Sequence, residues 1–229
     1  MRRSRSASHG ACSAVAPSYP CRERSGRGPN RPDMRFITML ALCGGAMLAT
    51  AMPSPAASRA AAPVDVAIQT AAGTIVVRLD RGRAPGTTAN FLHYVDAGTY
   101  NGTTFYRTVS KANNPSSNIE VIQGGLNPQA PNPMIHPIPL ESTSKTGLHN
   151  TDGAISMART ADPNSASTEF FLCIGDNRFL DAGGPTGPGY AAFGKVVRGA
   201  DVVRKIQRLH ANGDQLEPPV RIVKMMRLH

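Results

Sequence analysis

Few residues in this chain are spaced for reactive chemistry. No CxxC, HExxH or zinc-type Cys/His pairing occurs, so no metal-ligand set is written in the sequence. A GxxxxGK phosphate loop and a GxSxG nucleophile turn are both missing. Past residue 62 the histidines at 93, 136, 149, 210 and 229 are scattered without ligand spacing. Cys173 is the one thiol in that part, and one thiol makes no internal disulfide. It lies in an apolar run, Phe-Phe-Leu-Cys-Ile, where a buried, inert side chain is the plain expectation.

Charge does not point to a polyanion. The 229-residue chain carries 25 Lys and Arg against 15 Asp and Glu, a formal net charge of +10. The excess is concentrated before residue 63, where nine Arg face only Glu23 and Asp33. Residues 63–229 hold 16 basic and 13 acidic side chains. So balanced a body gives nucleic acid no electrostatic footprint. A hydrophobic fraction of 41% with 17% charged residues excludes wholesale disorder.

Residues 1–33 are rich in Arg, Ser, Gly and Pro and read as a disordered leader, or as residues upstream of a true start at Met34. Met34-Arg35, an apolar stretch over 36–52 and the run SPAASRAAA supply the basic, apolar and small-residue parts of a secretory signal peptide over 34–62. Gly44-Gly45 and two Thr interrupt the apolar stretch. That weakens a permanent span, which wants about 20 mostly apolar residues. An exported product is expected, with an uncleaved signal anchoring it to the membrane as the alternative.

Positioning groups on the remainder requires a scaffold, and the pattern is one of short strands. Runs at 64–69 and 74–79 flank Ala71-Ala72-Gly73, a hairpin signature. Pro85 sits where a first helical residue would, Phe91, Leu92 and Val95 fall on one face, and Gly98 closes the helix. Residues 103–109 alternate again, whereas SKANNPSSN at 110–118 cannot be strand interior. Short apolar runs follow at 120–123, 154–158, 170–174 and 191–197. Residues 199–209 place Val202, Val203, Ile206 and Leu209 on a helical face, and 220–228 reads as a last strand. Eight strands and two helices predict a mainly β fold, a closed antiparallel barrel or a sandwich. The barrel is preferred, because pairing the first strand with the last removes both edges. The stretch 127–150, with five Pro, is expected on the surface.

Six segments then occur in order: FYR at 105–107, IQGG at 122–125, GAISMARTAD at 153–162, EFFLCI at 169–174, FLD at 179–181 and FGKVVRGADVV at 193–203. Together they resemble the cyclophilins, which are peptidyl-prolyl cis-trans isomerases. MARTAD and the tyrosine of GYAAFGKVV look most like the exported bacterial branch, which implies a periplasmic product. The resemblance covers 64–228 and makes 63–229 the isomerase domain. It implies an eight-stranded barrel capped by two helices, with a substrate groove on the outer face. Its expected partners are proline-containing segments of unfolded exported proteins. No cofactor, metal, nucleic acid or stable membrane partner is expected, and nothing demands more than a monomer.

Rotation about an X–Pro bond crosses ~18–20 kcal/mol because amide conjugation must be broken. No bond is made or cut. A catalyst needs an apolar slot for the proline ring, anchors for the flanking backbone, and a donor aimed at the imide nitrogen. In the twisted state that nitrogen regains its lone pair, so a donor met only then stabilises the transition state selectively. The resemblance makes Arg107 this donor, a task its rigid fork suits better than Lys would. It makes Gln123 the residue that positions peptide and arginine, and Val121, Phe171 and Leu180 walls of the pocket. Ala158 and Arg159 match the segment whose backbone pairs with the peptide before proline. Glu169, Phe179 and Tyr190 match further groove positions.

Several departures from the family bear on activity. Arg107 and Gln123 are further apart than the family spacing, so SKANNPSSN looks like a loop inserted beside the groove. Glu120 occupies a position commonly aromatic in the proline pocket. A carboxylate is poorly tolerated there, so either the insertion moves it outward or the pocket is damaged. Glu169 stands where Gln is usual, an acceptor replacing a donor–acceptor, and is placed to pair with Arg107 in competition with substrate. Phe179 replaces the tryptophan of animal cytosolic relatives, which implies weak cyclosporin binding. Tyr190 replaces a histidine, as in bacterial relatives. Arg107, Gln123 and Phe171 favour an active isomerase, while Glu120 and Glu169 motivate the alternative of a catalytically weakened peptide binder or chaperone.

Overall fold

The structure, a computed structural model, describes residues 62–126 and 135–228. The leader and signal readings, apart from Ala62, and the segment 127–134 lie outside the described residues.

Strands β1 (Val64–Thr70) and β2 (Gly73–Leu79) form the expected hairpin, followed by helix α1 (Pro85–Asp96) and strands β3 (Thr104–Val109) and β4 (Val121–Gly125). A single helical turn, α2 (Thr143–Thr146), precedes β5 (Ala154–Met157) and β6 (Phe170–Cys173). A 3-10 turn over Arg178–Leu180 leads to β7 (Ala192–Arg198), α3 (Ala200–Gln207), the two-residue β8 (Ala211–Asn212) and β9 (Gln215–Leu228). All pairings are antiparallel, in the order β1-β2-β7-β5-β6-β4-β3-β9, and β9 returns to β1 from Asp65 opposite Leu228 onward. Eight strands therefore close on themselves, and closure removes the exposed edges a flat sheet would carry.

The elements depart from the sequence expectation in four places. β9 begins at Gln215 rather than 220, because its first residues pair with β8 and with β3 before the strand reaches β1. The ninth strand, β8, hangs on β9 outside the ring. Leu209 is 40% exposed because α3 ends at Gln207, leaving Val203 and Ile206 as its buried face. The stretch 127–150 is not all surface: Thr143, Thr146 and Asn150 are buried, and α2 lies within it.

Strand alternation sorts the side chains into two groups. Phe105, Ile122, Phe170 and Leu172 point into the barrel, where Phe170 meets Phe105 and the α1 residue Phe91 edge-on at 5.7 and 5.5 Å. The intervening Val121, Phe171 and Cys173 belong to a separate apolar cluster with Val109, Ala154 and Leu180. That second cluster lies on the opposite face of β4 and β6, so the barrel wall has a hydrophobic core inside and an apolar patch outside. Helix α1 is held at its start by Glu141, whose carboxylate accepts from the Gly86 and Thr87 amides at 3.0 and 2.7 Å.

Candidate active site

Arg107 on β3 is opposite Gln123 on β4, and Gln123 is opposite Phe171 on β6. Three neighbouring strands thus present one cross-strand row of arginine, glutamine and phenylalanine on the outer face. The β3 register shifts between Phe105 and Arg107, which leaves Tyr106 as an extra residue. A bulge of this kind lets two consecutive residues reach the same face. Phe105 is consequently buried in the core while both Tyr106 and Arg107 reach Gln123 on the outer face.

These polar groups form one chain. Arg107 Nη1 donates to Gln123 Oε1 at 3.1 Å, Gln123 Nε2 donates to the Tyr106 hydroxyl at 2.7 Å, and Tyr106 donates to Glu169 Oε2 at 2.6 Å. On its other side Arg107 Nη2 donates to Asp214 Oδ2 at 2.9 Å. The guanidinium is therefore held from two directions, with donors left over in its fork. Glu169 meets Tyr106, not Arg107, so the ion pair anticipated between Glu169 and Arg107 is not formed: the bulged tyrosine stands between them. Burial pushes the Glu169 carboxyl up to about 7, against the opposing pull of the Tyr106 hydrogen bond. The Tyr106 hydroxyl is itself raised, first by burial and then by its bond to Glu169.

Beside this row lies the apolar cluster. Val121, Phe171 and Leu180 are buried in it, and Ile119, Ala158, Phe179 and Tyr190 pack against them. Phe171 and Tyr190 meet edge-on at 5.6 Å. Leu180 ends the 3-10 turn and Tyr190 closes the same β6–β7 connection, the two joined by the bond from Tyr190 N–H to Leu180 O at 3.0 Å. Asp181 fixes that junction, accepting from Asn150 N–H at 2.9 Å and Asn150 Nδ2 at 2.8 Å. Asn177, fully buried, ties the 3-10 turn to the start of β4 through the Glu120 amide at 2.7 Å and the Glu120 and Ile174 carbonyls at 3.1 and 2.9 Å.

Glu120 does not enter the cluster. Its Oε2 accepts from Gln207 Nε2 of α3 at 3.0 Å, and Ile119 takes the apolar position instead. Of the two outcomes open for Glu120, the outward one is realised. Ala158 N–H is engaged by the Glu169 carbonyl at 2.8 Å. Arg159 donates to the carbonyls of Gly189 and Thr160, both at 2.8 Å, and its guanidinium stacks 4.6 Å from the Tyr190 ring centroid. Arg159 thus braces the rim that carries Tyr190. Cys173 is buried, and burial raises its thiol far above the ordinary range, so it stays protonated. Among the described residues no three His, Cys, Asp or Glu side chains gather as a metal site.

Three groups were not singled out from the sequence. Tyr106 lies within FYR, but only a bulge brings it to the groove. Ile119 is adjacent to the residue considered for the pocket. Asp214 is distant in sequence, and its one local signal is the Asn212-Gly213 turn before it.

The described residues form a closed antiparallel barrel that carries an arginine–glutamine row beside an outer apolar cluster. The chain belongs to the cyclophilins: residues 64–227 match the family described as cyclophilin type peptidyl-prolyl cis-trans isomerase/CLD. It is 40% identical over 149 residues to peptidyl-prolyl cis-trans isomerase A of Dickeya dadantii, covering 63% of this chain and 71% of the relative. Isomerase B of Escherichia coli is 38% identical over 144 residues, 62% of this chain and 83% of the relative. In fold it is similar to a cyclophilin-type isomerase of Cryptosporidium parvum, with a TM-score of 0.62 at 19% identity over 73% of this chain and 99% of that one. AquaCyp293 of Hirschia baltica gives a TM-score of 0.56 at 23% identity, covering 71% and 73%. The protein is a peptidyl-prolyl cis-trans isomerase.

Proposed function

We propose that Arg107 catalyses X–Pro rotation by donating a hydrogen bond to the imide nitrogen in the twisted state, and that the substrates are exported proteins still folding. One observation carries the mechanism: a half-buried guanidinium, pinned by Gln123 at 3.1 Å and Asp214 at 2.9 Å, in register through Gln123 with Phe171 of the outer apolar cluster. In this reading the cluster opens as the cleft that takes the proline ring against Phe171, Val121 and Leu180. Arg107 keeps its remaining N–H groups toward the peptide, and its preorganisation means little reorganisation is needed as the nitrogen becomes an acceptor. A related fold from Cryptosporidium parvum has been crystallised in the presence of the dipeptide Ala-Pro, which supports a proline peptide as ligand here. Export is supported by the basic, apolar and small-residue order of residues 34–62. The protein acts as a monomer in the periplasm.

Catalysis by the 63–229 fragment on a short Ala-Pro peptide tests the mechanism, with Arg107→Lys as comparator. Lys keeps the charge but loses the fork, so a substantial loss is expected, and full activity would overturn the donor geometry. Fusion of residues 34–62 to a periplasm-dependent reporter tests export, and a silent reporter would overturn it.

A further inference from the structure

From Arg107 to Glu169 every polar group donates in the same direction: arginine to Gln123 Oε1, Gln123 Nε2 to the Tyr106 oxygen, and the Tyr106 proton to Glu169 Oε2. The order is dictated from its ends, because a guanidinium can only donate and an ionised carboxylate can only accept. Between them Tyr106 has one proton and Gln123 one amide oxygen. Where Tyr106 aims its proton therefore decides which way the Gln123 amide is turned. We propose that Glu169 is a positioning residue of the isomerase: as a carboxylate it draws the Tyr106 proton, turns the Gln123 oxygen toward Arg107 and so holds the guanidinium in its working place.

Protonation of Glu169 from solvent undoes this order. With its O–H on Oε2, the carboxyl donates to the Tyr106 oxygen, and Tyr106 must aim its own proton at Gln123. The amide then flips to accept it and turns its NH2 toward the arginine, so that two donors face each other. The surroundings make such a change reachable near neutrality. Among the described residues Glu169 Oε1 is buried without a hydrogen-bond partner, and burial raises the carboxyl to about 7. Gly125 provides the space: at φ +144°, a Cβ there would stand 2.8 Å from Glu169 Cδ. Among the described residues the charged and titratable groups facing the carboxylate are Tyr106 and, beyond it, Arg107 on β3, and the buried Tyr100 that follows α1. The glutamine usual at this position both donates and accepts, and so imposes no order that varies with pH.

The inference rests on Arg107 being the donor, and the test separates the two. kcat/KM is measured on an uncharged, end-blocked Ala-Pro peptide from about pH 5.5 to about pH 8.5. In the wild type it should rise about two- to tenfold with a midpoint near 7, the scale of one net hydrogen bond. Glu169→Gln should flatten the profile, and so should Tyr106→Phe, which cuts the relay while leaving Glu169 free to ionise. A flat wild-type profile, or a step that survives in either variant, overturns the proposal. If Arg107→Ala costs nothing, the donor assignment falls; if it is strongly impaired while the wild type shows no step, only the role of Glu169 falls.

Discussion

Asp214 Oδ2 accepts a hydrogen bond from Arg107 Nη2 at 2.9 Å although 107 positions separate them in the chain. The turn bearing Asp214 also grips β3 through its backbone, Thr108 N–H donating to Asp214 O at 2.9 Å. Asn113 of the inserted loop bridges the two, its Nδ2 donating to Thr108 O and Gly213 O, each at 2.8 Å. The insertion thus braces the turn that braces the arginine, and does so without occupying the apolar cluster.

Asp214→Ala should lower kcat/KM modestly with little change in melting temperature. A partly exposed ion pair is worth roughly 0.2–1 kcal/mol, so the loss should not exceed about fivefold. Activity equal to the wild type would mean that Gln123 alone fixes Arg107.

Glu120→Phe should bring no gain in activity, because the native carboxylate already points to Gln207 and not into the cleft. Ile119→Glu, by contrast, sets an unpaired carboxylate among Phe171, Leu180 and Val121. A loss of at least about tenfold in kcat/KM is expected there. A rise in the first variant or indifference in the second would show that the cleft is not where proline binds.

The barrel was legible in the sequence because its alternation is regular: Phe170 and Leu172 inward, Phe171 and Cys173 outward, with turn residues between runs. Arg107, Gln123 and Phe171 were legible through ordered motifs, and register brings them into one row. Tyr106 was not, since strict alternation puts it on the face opposite Arg107 and only a bulge overrides that. Glu120 was left open by the sequence for a related reason. One residue decides which neighbour faces the cleft, and the bonds of Asn177 to the Glu120 backbone settle it in favour of Ile119. Asp214 meets Arg107 only through the closure of β9 against β3, a tertiary pairing that the local Asn212-Gly213 turn signal does not disclose.

The raised Glu169 carboxyl has a consequence for stability. Its folded value of about 7 exceeds its ordinary 4.5, so protonation favours the folded state. The contribution is complete below 4.5 and is lost as pH rises through 7. Glu169→Gln should therefore melt higher than the wild type at alkaline pH, and the gap should narrow as pH falls from about 7 to 4.5 and change little below that. Thermal melts across that window check it; a gap independent of pH would contradict the burial of this group.

Asn177→Ala should be destabilising, because the residue is fully buried. It removes the partners of the Glu120 amide and of two carbonyls inside the fold. Leaving buried polar groups unpaired costs about 1–3 kcal/mol. Denaturant unfolding should show the loss, and an unchanged midpoint would mean the 3-10 turn is held by its apolar contacts alone.

The most direct measurement is the isomerisation rate of a short Ala-Pro peptide with the wild type and with Arg107→Ala, both shown to be folded. Losing one transition-state donor should reduce kcat/KM by about 10²–10³-fold. An unchanged kcat/KM in the folded variant would contradict the assignment of Arg107 as the group that meets the imide nitrogen.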